Sequence, residues 1–262
     1  MKTKKNLLFF IISILFFPPF LQSHPFPPKN IPVEDNLGRK TFFLSYPRSG
    51  THWFMYSLTF LTNRLCLDNR FHLDIDSQKP YIHQTHNLDS YKNLYSSPNY
   101  FNSQKDILIL IIRNYKEAML RNFPNSTFNG ILNHIKNPSS YPIGFRYFTN
   151  LKYFDLWNPQ NRFLIYYEDL LEQPEKVFSD LLKFLKEENS SLKEFIFHLK
   201  NHKEYCISVY NSKSFGPAYS KGTDLFYHSK KLTKQQRTTI DNTIKKHYPE
   251  YFKKYLRRYE EK

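Results

Sequence analysis

Glycine is scarce in this chain, with 6 residues, and cysteine is scarcer, with 2. Each shortage removes a class of function. A Walker-type nucleotide loop spaces two glycines five apart ahead of Lys-Ser/Thr. The chain's best candidate turn has only Gly50, which excludes a nucleoside triphosphatase or nucleotide kinase built on that loop. Two thiols, Cys66 and Cys206, make no disulfide framework. They either pair once or stay as buried thiols, and the second reading is preferred. No Cys₂/His₂ cluster and no paired-carboxylate constellation stands out, so no metal is expected. Acidic residues are in deficit, 23 against 38 Lys and Arg, for a net charge of +15. Such a balance invites a polyanion. Yet no zinc-finger, RNA-binding or helix-turn-helix signature accompanies it, and specific nucleic-acid binding is not expected. Abundant Lys, Asn, Ile, Phe and Tyr suit an AT-rich coding bias. Pairs such as Lys245-Lys246, Lys253-Lys254 and Arg257-Arg258 read as a solvated helix face. No internal repeat is visible. Two triplets starting at Asn125 and Asn189 fit the glycosylation acceptor pattern, which so Asn-rich a chain also produces by chance.

What is present concentrates in residues 40–53. Thr41 to Tyr46 is a short apolar run of buried-strand type. Pro47 stops it, having no N–H to give a sheet. After Arg48, Ser49 and Gly50 comes a helical stripe of Trp53, Phe54, Leu58, Leu61 and Leu65. Strand, tight turn and helix N-terminus form an anion-binding geometry, because the unpaired N–H groups and the positive end of the dipole meet there. Gly50 allows close backbone approach, Ser49 and Thr51 add hydroxyls, and Arg48 adds a fixed charge with a donor fork.

Tyr46-Pro47-Arg48-Ser49-Gly50-Thr51-His52-Trp53 resembles the 5′-phosphosulfate loop of sulfotransferases that use 3′-phosphoadenosine 5′-phosphosulfate as donor. That family usually carries Tyr-Pro-Lys/Arg-Ser-Gly-Thr/Asn-Thr-Trp, so His52 is a departure. Further landmarks follow in order. Gln84-Thr85-His86, after the extended run Lys79 to His83, resembles the family's Lys-Thr-His, with Gln84 replacing the lysine. The resemblance makes His86 the general base, a task that suits imidazole. Six consecutive apolar residues, Ile107 to Ile112, suit a strand buried on both faces. They lead into Arg113-Asn114-Tyr115-Lys116-Glu117, where the resemblance assigns Arg113 to the donor's 3′-phosphate. Arg121 stands where the family's phosphate-sharing serine is expected. Arg162 to Tyr167, then Glu168-Asp169-Leu170, resembles the strand ending in Tyr-Glu-Asp-Leu, with Tyr167 against the adenine. Pro174 then starts a helix with the stripe Val177, Leu181, Leu182 and Leu185. Lys221-Gly222 matches part of the family's Arg-Lys-Gly, with Ser220 for its arginine and Phe226 or Tyr227 near its tryptophan. Thr233 reads as the N-cap of a helix over 234–246.

The resemblance implies an α/β three-layer sandwich, with a central parallel sheet flanked by helices in a P-loop-like fold. It implies sulfuryl transfer from 3′-phosphoadenosine 5′-phosphosulfate to a hydroxyl or amine, without metal. Arg48 would stabilise the leaving group, and residues 49–53 would hold its phosphate. Trp53 would either stack on the adenine or fill the core. Segments 123–160 and 208–220 would shape the acceptor pocket. The aromatics Phe145, Tyr147, Phe148, Tyr153, Phe154 and Trp157 read first as a core helix and second as a pocket for a phenol or lipid. The acceptor is a small molecule, glycan or protein. The departures at Gln84, Arg121 and Ser220 motivate an alternative: a catalytically impaired protein of the same fold that binds a nucleotide or an anionic partner.

The first residues form a separate unit. Lys2, Lys4 and Lys5 precede the apolar stretch Leu7 to Phe17 and then Pro18-Pro19. A positive head and an h-region of about eleven residues describe a secretory signal or membrane anchor over 1–23. The stretch is short for about 30 Å of hydrocarbon even with Phe20 and Leu21. Residues 24–36 read as a Pro-rich linker and 37–262 as the domain. Export or membrane anchoring through residues 7–21 is the expectation, with a cytoplasmic chain as the alternative.

Overall fold

Four short strands carry the architecture. The computed structural model describes residues 32–47, 49–66, 78–89, 100–122, 127–141, 146–187, 192–197, 199 and 231–261. Strands β1 (Thr41–Ser45), β2 (Ile82–Thr85), β3 (Ile107–Ile112) and β4 (Arg162–Tyr166) form one parallel sheet in the order β2-β1-β3-β4. Thr41 pairs with Ile82 on one side and Ile107 on the other, while Ile112 pairs with Tyr166. β2 starts at Ile82, later than the run 79–83 suggested; the Tyr81 N–H just before it bonds to the Pro32 carbonyl instead of to a neighbouring strand.

The unbroken apolar run of β3 follows from having both faces covered. Leu108, Leu110 and Ile112 enter one core and Ile107, Ile109 and Ile111 the other; Phe42 and Leu44 oppose Phe43 in the same way on β1. One layer holds α1 (Thr51–Thr62), α6 (Pro174–Leu185) and α7 (Leu192–Phe197), whose Phe54, Phe178 and Phe195 pack together. The other holds α2 (Tyr115–Asn122), α3 (Phe128–Lys136), α4 (Tyr147–Leu156) and α8 (Lys234–His247). A further helix, α5 (Tyr167–Glu172), follows β4 directly. The result is the expected three-layer α/β sandwich.

Local signals explain the helix ends. Thr233 and Gln236 form a capping box at the start of α8, an arrangement whose cap is worth about 1 kcal/mol. Pro174 occupies the first turn of α6, where its missing N–H costs nothing. Tyr147, Phe148, Phe154 and Trp157 are all buried, so this part of the aromatic stretch is core. Each basic pair of the C-terminal region divides. Lys245, Lys254 and Arg258 bond to Glu260, Asp155 and Asp169, while Lys246, Lys253 and Arg257 are exposed, as are the ion-paired Lys254 and Arg258.

After α8 the chain passes through a π-helical turn, Phe252–Leu256, and meets the end of β4, where Tyr166 Oη donates to the Tyr255 carbonyl and the Tyr166 ring lies against that of Tyr259. There it closes a buried polar network. Asp241 accepts from Tyr115 Oη at 2.5 Å, Lys116 Nζ at 2.8 Å and the Glu261 N–H at 2.7 Å. Lys116 Nζ also donates to the Tyr259 carbonyl at 2.6 Å. Tyr259 Oη donates to Glu168 at 2.6 Å, and the other Glu168 oxygen accepts from the Asn114 N–H at 3.0 Å.

Among the described residues no helix is long and apolar enough to cross a membrane. Residues 1–31 of the leader and linker, Asn125 and Asn189 of the acceptor triplets, Cys206 and the loop 208–220 lie outside the described residues. Cys66 is a buried free thiol, which burial pushes up to about 11.

Candidate active site

The C-terminal ends of the parallel strands gather the candidate residues, where open α/β sheets bind their ligands. β1 ends at Ser45, one residue before the expected Tyr46, and the chain turns with the Ser49 N–H bonded to the Tyr46 carbonyl at 3.2 Å. Gly50 is the N-cap of α1 in a left-handed conformation, φ 81°. A Cβ there would lie 2.4 Å from the Tyr167 ring, so the glycine serves both the turn and the seating of that ring. The Ser49 hydroxyl is fully buried without a hydrogen-bond partner among the described residues. Such an orphan costs on the order of 1–3 kcal/mol and suits a ligand that supplies the missing partner. Thr51 is buried, and its hydroxyl lies 2.9 Å from that of Ser45.

His86 stands just past the end of β2 and is half-buried. Its Nδ1 lies 2.8 Å from the Ser45 carbonyl. A carbonyl only accepts, so Nδ1 carries the proton and the lone pair of the neutral ring is on Nε2, as a general base requires. From the opposite side Asn150 of α4 donates to the His86 carbonyl at 3.1 Å, and Tyr153 of the same helix bonds to Asp89. Gln84, the lysine replacement, is a buried β2 residue opposite Phe43.

Arg113 leaves the end of β3 with its guanidinium 4.5 Å from the centre of the Tyr167 ring, a cation–π contact. Burial pulls its pKa down, and the Arg121 charge pulls the same way. Burial raises Tyr167, and the charges of Arg113 and Arg121 oppose that rise. Arg121 therefore sits within electrostatic reach of both groups. Its Nε donates to the fully buried Glu117 at 2.6 Å. The Arg113 turn is braced from behind, since Tyr147 Oη donates to the Arg113 carbonyl at 2.7 Å.

The structure thus brings Ser49, Gly50, Thr51, His86, Arg113, Arg121 and Tyr167 to one edge. His52 is half-exposed on the first turn of α1. Trp53 is 8% exposed and belongs to the apolar cluster on that side of the sheet. Arg48, Ser220, Lys221 and Gly222 lie outside the described residues. Sequence reasoning missed Ser45, Glu117, Asn150 and the brace role of Glu168. Only Glu168 carried a signal, its place inside the Tyr-Glu-Asp-Leu landmark. Among the described residues no group of three or more His, Cys, Asp and Glu is gathered as for a metal ion.

A parallel sheet with a glycine turn feeding a helix, and with a histidine and an arginine on the neighbouring strand ends, defines an α/β protein of P-loop-like architecture. The family model of the sulfotransferase domain matches residues 39–254, and the chain belongs to that family. No curated protein matches it in sequence. Among solved structures it is similar to mouse sulfotransferase SULT7A1 complexed with PAP, at 15% identity, covering 86% of this chain and 89% of that one, with a TM-score of 0.52. It is also similar to retinol dehydratase in complex with androsterone and inactive cofactor PAP, at 14% identity, covering 80% of each chain, with a TM-score of 0.53. At these identities the likeness is one of fold.

Proposed function

We propose that the chain transfers a sulfuryl group from 3′-phosphoadenosine 5′-phosphosulfate to a hydroxyl or amine acceptor. The observation that carries the reading is the convergence, at one sheet edge, of the Ser49–Thr51 turn, the Nδ1-protonated His86 and the buried Arg113 over Tyr167. The residues fit such a donor. The orphaned Ser49 hydroxyl and the N–H groups of the first turn of α1 would hold its 5′-phosphate, and Arg113 with Arg121 would meet its second phosphate. Tyr167 would face the adenine, and Arg48 would offset charge developing on the leaving oxygen. His86 Nε2 would take the acceptor's proton as the acceptor's oxygen or nitrogen bonds to sulfur and the bond from sulfur to the phosphate oxygen breaks. Positioning and preorganised charge would supply most of the rate, as in phosphoryl transfer.

Titration of the purified chain with PAP (adenosine 3′,5′-bisphosphate) tests donor recognition. Saturable binding that Arg48→Ala and Arg113→Ala each weaken at least tenfold is expected, while no binding to the intact chain overturns the reading. His86→Ala should keep the nucleotide affinity and lose transfer. Binding with no transfer to any member of a phenol, alcohol and amine panel would favour the impaired binder.

A further inference from the structure

The loop and the base are joined by side chains. Ser45 closes β1 and is fully buried, with its hydroxyl 2.9 Å from Thr51 Oγ1 and 3.4 Å from His86 Nδ1. The His86 Nδ1–H already points at this residue, since it donates to the Ser45 carbonyl at 2.8 Å. A proton shared toward the nearby Ser45 oxygen leaves the Ser45 hydroxyl to donate to Thr51, and the Thr51 hydroxyl to donate onward into the turn. Hydrogen bonds that run in one direction polarise one another. An anion held at the turn would accept from Thr51 and so align the whole row.

We infer that Ser45 is a positioning residue which reports occupancy of the anion turn to His86, fixing the Nδ1-protonated ring through Thr51 when a phosphate is bound. No proton leaves the row; only the direction of the hydroxyl donors is set. The inference rests on the donor reading above, and binding by the intact chain is measured first so that the two can fail separately.

The probe is PAP and the readout is the Nδ1–H resonance of His86 in ¹⁵N-labelled full chain. In the unaltered protein, saturating PAP should move this proton downfield and slow its exchange with water. Ser45→Ala and the near-isosteric Thr51→Val should each abolish the slowing, whereas Thr51→Ser, which keeps the hydroxyl, should retain it. Affinity measured on each variant shows that the site is filled when the spectrum is taken. Equal downfield movement and equal slowing in Ser45→Ala and in the unaltered chain, both saturated with PAP, would overturn the relay, because the response would then pass through space. Failure of the unaltered chain to bind PAP would instead remove the donor reading.

Discussion

Lys116→Met should destabilise the protein severely although the residue touches no proposed ligand. Lys116 and Asp241 are each 2% exposed and 2.8 Å apart, so water cannot take over either charge once its partner is gone. Exposed pairs are worth at most about 1 kcal/mol. Removing one member of a buried pair costs roughly 3–5 kcal/mol, because the survivor is left uncompensated. Among the described residues Asp241 would retain two neutral donors, Tyr115 and the Glu261 N–H. With about 2–4 °C per kcal/mol for a chain of this size, the midpoint should fall by roughly 6–20 °C. Urea unfolding at constant slope gives the free energy directly. The double variant Lys116→Met/Asp241→Leu removes both charges and should recover much of the loss, a coupling that a double-mutant cycle reads. A single-variant cost below about 1 kcal/mol, or a double variant as unstable as the sum of the singles, would refute the assignment of an uncompensated buried charge.

Three further outcomes are expected. Gly50→Ala puts a side chain at φ 81° and against the Tyr167 ring. Strain of about 1–2 kcal/mol in the left-handed region should show as lower stability, and displacement of Tyr167 as a changed tyrosine environment in near-UV circular dichroism; unchanged spectra and stability would contradict the contact. Burial, with the Lys40 and Arg64 charges adding to it, pushes His83 down to about 3, and burial pushes His134 down to about 4. Because both folded values lie below the ordinary one of about 6.5, the unfolded chain takes up protons first. Stability should therefore fall as pH drops below about 6.5, by up to roughly 1.4 kcal/mol per pH unit for each histidine. Denaturation at pH 7, 6 and 5 should show this slope, smaller in His134→Gln; an equal slope in the variant would count against His134. Finally, Cys66 should resist alkylation in the folded protein and react after unfolding, as peptide mass spectrometry can report.

The parts of the fold legible in the sequence are those written in local pattern. Ile107–Ile112 is apolar throughout because both faces are covered, and that alone placed the sheet centre. Thr233 and Pro174 marked their helices because capping is a near-neighbour effect. The site was half legible. Gly50, His86, Arg113 and Tyr167 stood out by motif, yet Ser45 read as one more strand residue. Its importance comes from β1 and β2 lying side by side, which sets Ser45 against a histidine 41 positions away. Lys116 and Asp241, 125 positions apart, were invisible for the same reason. Trp53 carried two readings because a helical stripe looks alike whether it meets core or ligand.

The bond from Tyr259 to Glu168 ties together stretches 91 positions apart and has a practical consequence. Arg257 and Arg258 are exposed just before it, within reach of a trypsin-like protease. A nick there, or a fusion partner that drags residues 259–261 out of register, would unfasten the Asn114 corner without touching a residue of the candidate site. Loss of the proposed PAP binding in such a preparation would then report a missing latch rather than a damaged anion turn.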